Sequence, residues 1–224
     1  MKILIIEDEQ QLANDIADYL QQENYLCEFA ASFTDAQEKI ELYEYDCILL
    51  DLMLPGGDGM RLLDTLHANG KQDGVIIISA KNATEDKIEG LKKGADDFLA
   101  KPFPLPELAA RIYSVIRRKR FGNSNIIEHK ELRIDLLGKQ ATILGKPLVL
   151  TKKEFELLLY FVSNKNRVIS KKALAEHISG DIADMFDNHD YVYAHIKNLK
   201  KKLAEGGCNP YLKTLYGSGY KWDV

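Results

Sequence analysis

Five short apolar runs mark the first half of the chain: KILII at 2–6, LCEFA at 26–30, CILL at 47–50, VIIIS at 75–79 and DFLA at 97–100. Each has the length of a strand rather than a helix and ends in charged, small or turn-forming residues. Between them, apolar residues recur at helical spacing over about 10–22, 33–43, 58–68, 84–93 and 105–118. Strand and helix alternating in this way predict an α/β fold, a doubly wound five-stranded parallel sheet covered on both faces. The unbroken apolar runs agree, because strands in such a sheet are buried on both sides.

The pattern changes after RRKRFGNSN at 117–125, a charged and then small, polar stretch that reads as a linker. We place one domain at 1–119, the linker at 120–125 and a second domain at 126–224. The second half opens with short strands, IIEH, LRIDLL, QATIL and PLVL, separated by tight turns. Two helices follow, TKKEFELLLYFVSN and SKKALAEHI. Thr151 with Glu154 three residues on has the form of a capping box, and Ser170 is placed to cap the second helix. A loop is expected at about 180–188. Then comes DYVYAHIKNLKKKLAEG, a strongly periodic helix, and a terminal hairpin across Gly217-Ser218-Gly219.

Composition narrows the class. No run of eighteen apolar residues exists, so no membrane span is expected. The start, MKILIIEDEQ, turns acidic too soon for a secretory signal, and a cytoplasmic protein is expected. Cys27, Cys47 and Cys208 are scattered, as reduced thiols would be. Charge is uneven. Residues 1–120 hold 14 Lys/Arg against 22 Asp/Glu, while residues 121–224 hold 16 against 12. A basic second half is consistent with a polyanionic partner or with a differently decorated surface.

The sheet then concentrates chemistry at one rim. Open parallel sheets bind ligands at the carboxyl ends of their strands. The first strand ends in Glu7-Asp8-Glu9, the third at Asp51, the fourth in Ser79, and Lys101-Pro102 follows the fifth. Converging carboxylates repel one another and are relieved by a cation. A small all-oxygen set suits Mg²⁺, which also accepts phosphate oxygens. Carboxylate, metal, hydroxyl and ammonium together are what phosphoryl transfer to an aspartate requires. A proline after Lys101 admits a cis peptide that would aim the lysine.

The segments ILIIEDE, DCILLDLMLPGGDG, IIISAK and GADDFLAKPFPLPELAARI resemble the receiver domain of bacterial two-component response regulators, a flavodoxin-like fold. LTKKEFELLLYF, VISKKALAEHI, HIKNLKKKL and LKTLYGSGYKW resemble the winged helix-turn-helix effector domain of the OmpR-type subfamily. The resemblance implies that Asp51 takes phosphate from a sensor histidine kinase. It implies Mg²⁺ on Glu7, Asp8, Asp51 and the backbone carbonyl of Met53. Ser79, with Ala80 beside it, and Lys101 would bind the phosphoryl group. Phe98 holds the switch-aromatic position, usually Tyr, and lacks its hydroxyl. A homodimer would form on phosphorylation through the fourth helix, fifth strand and fifth helix, with Lys87, Asp96, Asp97, Glu107, Arg111 and Arg118 at the interface. Lys87 would pair with Glu107, and Asp97 with Arg111.

In the second half the resemblance implies a recognition helix and wing reading double-stranded promoter DNA, and a contact with RNA polymerase. Tyr193, Ala194, Lys197, Asn198, Lys200 and Lys201 would face DNA from the helix, and Tyr216 from the wing. Lysines serve phosphates, whereas Asn198 suits an adenine edge. His195 reads as structural. The sequence departs from the subfamily at DYVYAH, 190–195, where Tyr191 and Tyr193 replace small or acidic residues. The subfamily's usual arginines are lysine or asparagine here, and in the wing Tyr216 stands where an arginine often enters the minor groove; fewer bidentate arginines should weaken guanine readout.

Three functions compete at this point. The first is a phosphorylation-switched transcription regulator. The second is a regulator that binds DNA independently of phosphorylation. The third is an aspartate-nucleophile phosphatase, which needs a second aspartate two residues after the nucleophile. That position is Met53, so the enzyme reading loses its general acid.

Overall fold

The computed structural model describes residues 1–80, 84–179 and 190–223. The expected loop at 180–188 lies outside the described residues. The chain divides into two compact units, Met1–Asn123 and Ser124–Val224.

The first unit runs β1 (Lys2–Ile6), α1 (Gln10–Gln22), β2 (Leu26–Ala30), α2 (Phe33–Leu42), β3 (Cys47–Leu50), β4 (Met53–Leu54), β5 (Gly57–Asp58), α3 (Met60–Ala68), β6 (Gly74–Ser79), α4 (Thr84–Lys92), β7 (Asp97–Ala100) and α5 (Leu105–Phe121). Five strands form one sheet in the order β2-β1-β3-β6-β7, and every neighbouring pair is parallel. The strand order reverses between β1 and β3, so their carboxyl ends flank the crevice where such sheets bind ligands. β1 is in register with β3 from Ile3↔Cys47 to Ile6↔Leu50. Glu7 and Asp51 therefore leave the sheet side by side.

Alternation along each strand divides the core in two. Leu4, Ile6, Ile48, Leu50 and Ile77 pack with Ala36 and Ile40 of α2 and Leu62, Leu63 and Leu66 of α3. Ile3, Ile5, Cys47, Leu49, Ile76 and Ile78 face Ile16 and Leu20 of α1 and Leu108, Ile112 and Val115 of α5. Every residue of β1, β3 and β6 is buried, which is why those runs carry no polar alternation. α5 extends to Phe121, so Arg120 and Phe121 of the expected linker are helical. Gly122 closes the helix in the left-handed conformation, with φ of 61°.

One buried cluster has no counterpart in the sequence reading. The Lys2 ammonium lies 2.7 Å from a Glu28 carboxylate oxygen, with both side chains at most 5% exposed. Tyr45 donates its hydroxyl to the other Glu28 oxygen at 2.7 Å. The Tyr43 and Tyr45 rings lie 4.7 and 4.8 Å from the same ammonium. Charge, hydroxyl and π-faces together offset the desolvation of the pair.

The second unit begins with an antiparallel sheet of β8 (Ile126–His129), β9 (Leu132–Asp135), β10 (Gln140–Ile143) and β11 (Lys146–Leu148), paired in sequence order. Helices α6 (Lys152–Ser163), α7 (Lys171–Ser179) and α8 (Asp190–Glu205) follow, with β12 (Val168–Ile169) between the first two and β13 (Leu212–Leu215) and β14 (Gly219–Trp222) after the third. Both bonds of the Thr151–Glu154 capping box are present at the start of α6. The terminal hairpin gains a third strand, because β12 pairs with β14. Two residues between two helices give no periodicity to read. Gly219 permits the pairing: its φ is 133°, and a Cβ there would run into the Ile169 carbonyl. Among the described residues, no helix is long and apolar enough to cross a membrane.

Candidate functional site

Asp51 sits at the exit of β3 and is 4% exposed. One carboxylate oxygen accepts the Met53 backbone N–H at 2.9 Å. The other meets the Lys101 ammonium at 2.5 Å, and the same ammonium reaches Glu7 at 2.6 Å. Lys101 is delivered by the fifth sheet strand. β7 pairs with β6 as far as Ser79↔Ala100, and the Lys101 N–H donates to the Ser79 carbonyl at 3.0 Å. The Lys101–Pro102 peptide is cis. Ser79 itself is fully buried at the end of β6, and Ala80 beyond it is exposed.

Carboxylate oxygens of Glu7, Asp8 and Asp51 all lie within 4.8 Å of one another. Glu7 and Asp51 are buried, and Asp8 is exposed. Three carboxylates against one ammonium leave the rim anionic. Burial, with Asp51 beside it, pushes the Glu7 pKa above its ordinary 4.5, although Lys101 works the other way. Burial penalises the Lys101 ammonium, yet its hydrogen bonds to Asp51 and Glu7 outweigh that cost and hold its pKa above the usual lysine value. An all-oxygen set of two buried carboxylates and one open to water fits a hard divalent cation that retains waters. The loop after β3 is held against α3 by Gly59, where a Cβ would stand 2.5 Å from the Asp51 carbonyl oxygen.

Phe98 is 4% exposed and belongs to the core cluster beneath α2 and α3. Along β7 and α5 the charges pair within one chain. Arg111 reaches Asp97 at 2.7 Å and Glu107 at 2.8 Å. Arg118 and Lys119 approach Asp96 at 3.6 and 3.1 Å. Lys87 is exposed on α4, followed by Ile88 and Leu91, which are 46% and 41% exposed.

On α8, Val192, Ile196, Leu199 and Leu203 are buried, while Tyr193, Ala194, Lys197, Asn198 and Lys201 are exposed. Tyr216 stands 97% exposed at the hairpin tip. Lys200 is half-buried, and its ammonium donates to Thr214 of β13 at 2.8 Å. Burial draws its pKa down. Lys202, which the sequence reading passed over, meets the buried Glu154 at 2.7 Å. The capping box pointed to Glu154, but no local pattern announces a partner 48 residues away.

Comparison with known proteins agrees with both halves. Residues 3–113 match the family model of the response regulator receiver domain. Residues 145–222 match that of the transcriptional regulatory protein, C terminal. The chain is 39% identical over 219 residues to the response regulator ArlR of Staphylococcus saprophyticus, covering 98% of this chain and 97% of the relative. It is 34% identical over 220 residues to the transcriptional regulatory protein QseB of Escherichia coli O157:H7, with 98% of each chain covered. Among solved structures, the receiver domain of the Francisella response regulator 1452 aligns with a TM-score of 0.50 at 37% identity, over 52% of this chain and 97% of that one. The BeF3-activated receiver domain of Klebsiella pneumoniae RstA aligns with a TM-score of 0.50 at 31% identity, over 52% and 99%.

Proposed function

Because the chain belongs to the OmpR-type two-component response regulators, a receiver joined to a DNA-binding effector, we propose that Asp51 is the phosphoacceptor through which this regulator is switched. The observation that carries the assignment is the Lys101 ammonium lodged between Asp51 and Glu7 at the point where the strand order reverses. An Asp51 oxygen attacks the phosphorus of a kinase phosphohistidine. The new O–P bond forms as the N–P bond breaks, and the histidine ring leaves with the electron pair. Lys101 then holds a phosphoryl oxygen where it now holds the carboxylate. Ser79 offers its hydroxyl from the neighbouring strand end, with Ala80 beside it.

Glu7, Asp8, Asp51 and the Met53 carbonyl are the ligands we assign to Mg²⁺, which when bound supplies charge neutralisation at the transferred group. Phe98 and the charged face of Lys87, Asp96, Asp97, Glu107, Arg111 and Arg118 are assigned to the switch and the homodimer. The exposed residues of α8, with Tyr216, are assigned to promoter DNA. RNA polymerase is the partner through which the bound dimer would alter transcription.

The test is incubation with acetyl phosphate and Mg²⁺, read by intact mass and by sizing chromatography, with Asp51→Ala alongside. One phosphate added to the unaltered chain and none to the variant, with a shift from monomer to dimer, is expected. Phosphate uptake without a shift in size removes the dimer assignment. Equal uptake by the variant removes Asp51.

A further inference from the structure

Four lysines lie on α8, and they do not share one environment. At about 100° per residue, the buried stripe of Val192, Ile196, Leu199 and Leu203 centres on one side of the helix. Lys197, Lys201 and Asn198 project from the opposite side. Lys200 and Lys202 fall on the two flanks, each roughly 80° from the centre of the stripe. Both flanking ammoniums are engaged. Lys202 meets Glu154 of α6 at 2.7 Å, and Lys200 donates to Thr214 of β13 at 2.8 Å. Glu154 is itself fixed, since the oxygen that accepts from Lys202 also accepts the Thr151 N–H at 2.7 Å. Burial opposes the Glu154 charge, but Lys202 and Thr151 hold its pKa below 4.5.

An apolar stripe resists lifting of a helix from its seat far more than rolling within it, because leucine and isoleucine contacts are non-directional. A charged hydrogen bond has a direction. Two such bonds on opposite flanks, to two different elements, oppose rotation in both senses. We propose that the Lys202–Glu154 and Lys200–Thr214 pairs are positioning contacts that set the roll of α8, leaving Lys197, Asn198 and Lys201 to meet DNA. The inference rests on the DNA-binding reading of this unit and adds a division of labour within its lysines.

The two roles separate by salt dependence. A lysine that neutralises a phosphate contributes about −0.9 to the slope of log K against log salt, whereas a positioning lysine contributes nothing to it. The experiment uses the full chain and a duplex that it enriches from a randomised pool, with poly(dI-dC) as the non-specific probe. Glu154→Gln is the informative variant, because glutamine still completes the capping box and loses only the charge facing Lys202. Thr214→Val removes the other acceptor without changing side-chain shape. Both should bind the selected duplex about tenfold more weakly, the scale of one displaced base contact. Their salt slope and their binding to poly(dI-dC) should not change. Lys202→Met should behave alike, and Lys202→Arg should restore binding. Lys197→Met and Lys201→Met should each flatten the slope by about 0.9.

Three results overturn the proposal: a slope flattened by Lys202→Met or Lys200→Met, unchanged affinity in Glu154→Gln and Thr214→Val, or a Glu154→Gln chain that is unfolded by circular dichroism at the assay temperature. The last would mean that the pair holds the fold rather than aims the helix. Failure of the unaltered chain to enrich any sequence would instead remove the DNA reading on which the inference stands.

Discussion

The Lys101 ammonium lies 2.5 Å from the Asp51 carboxylate, fifty residues away in sequence, and holds Glu7 at 2.6 Å with its other side. It is the counter-ion that lets two carboxylates stay buried at one rim. Lys101→Met should therefore cost stability as well as phosphate uptake. Removing one partner of a buried pair costs about 3–5 kcal/mol, and the lower end applies because Lys101 retains some exposure. Urea titration of the variant should show that loss, and millimolar Mg²⁺ should recover part of it by binding only the folded site. Equal midpoints for variant and parent would show that the ammonium carries no such load.

Glu7 gives the rim a pH signature. Its folded pKa is raised above 4.5 by burial, so the folded chain binds more protons than the unfolded one just above that value. Where the native state binds the extra proton, stability falls as pH rises through the window between the two pKa values. Glu7→Gln should flatten that part of the stability–pH profile. In the parent, Mg²⁺ should also flatten it, by favouring the charged form. Denaturation midpoints collected from about pH 4 upward, with and without Mg²⁺, check both. A profile identical in parent and Glu7→Gln would assign the protons elsewhere.

The loop that presents Asp51 depends on a missing side chain. A Cβ on Gly59 would stand 2.5 Å from the Asp51 carbonyl oxygen and 2.8 Å from the Leu52 Cα. Backbone atoms cannot yield as a side-chain tip can. Gly59→Ala should move the acceptor loop, cost about 1–3 kcal/mol in stability, and slow phosphate uptake. A displacement of about 1 Å is enough to slow a positioned reaction about a hundredfold. Single-turnover uptake from acetyl phosphate measures the second effect, and parental kinetics would show that the loop accommodates the methyl.

The pattern of apolar residues was sufficient for the parallel sheet, because β1, β3 and β6 are buried on both faces and their sequences say so. The rim followed from the sheet, since Glu7, Asp51, Ser79 and Lys101 each close a strand. What escaped the sequence was set by distant partners. Lys2 opens a strand, yet Glu28 of β2 and Tyr43 and Tyr45 of the connection between α2 and β3 enclose it from two other segments. The strand β12 has two residues and exists only because Gly219 lets β14 approach it. The division among the α8 lysines likewise depends on Glu154 and Thr214, far away along the chain.

The buried Lys2 should behave as a structural ion. Lys2→Met removes the ammonium 2.7 Å from the buried Glu28 carboxylate and should cost about 3–5 kcal/mol. Adding Glu28→Leu removes the stranded charge and should recover much of the loss. The double-mutant cycle in urea isolates the pair. Additive losses would show that Lys2 and Glu28 act separately despite their 2.7 Å contact.

On β7 and α5, the charges assigned to the dimer face are already paired within one chain. Arg111 bonds to Asp97 at 2.7 Å and to Glu107 at 2.8 Å, and all three side chains are at least 30% exposed. Pairing across a dimer would exchange these partners rather than create new ones, so its net contribution should be small, about 1 kcal/mol or less. The function left to such pairs is register, because a wrong alignment would bring like charges together. Arg111→Ala should therefore weaken the phosphorylated dimer only several-fold in sedimentation equilibrium, while reducing its sensitivity to salt. Arg111→Asp alone places three acidic groups together and should prevent association. Combining it with Asp97→Arg restores one complementary pair and should restore the dimer. If Arg111→Ala alone abolishes dimerisation, the arginine supplies binding energy rather than register. If the charge swap fails to rescue Arg111→Asp, the two residues do not face each other across the interface.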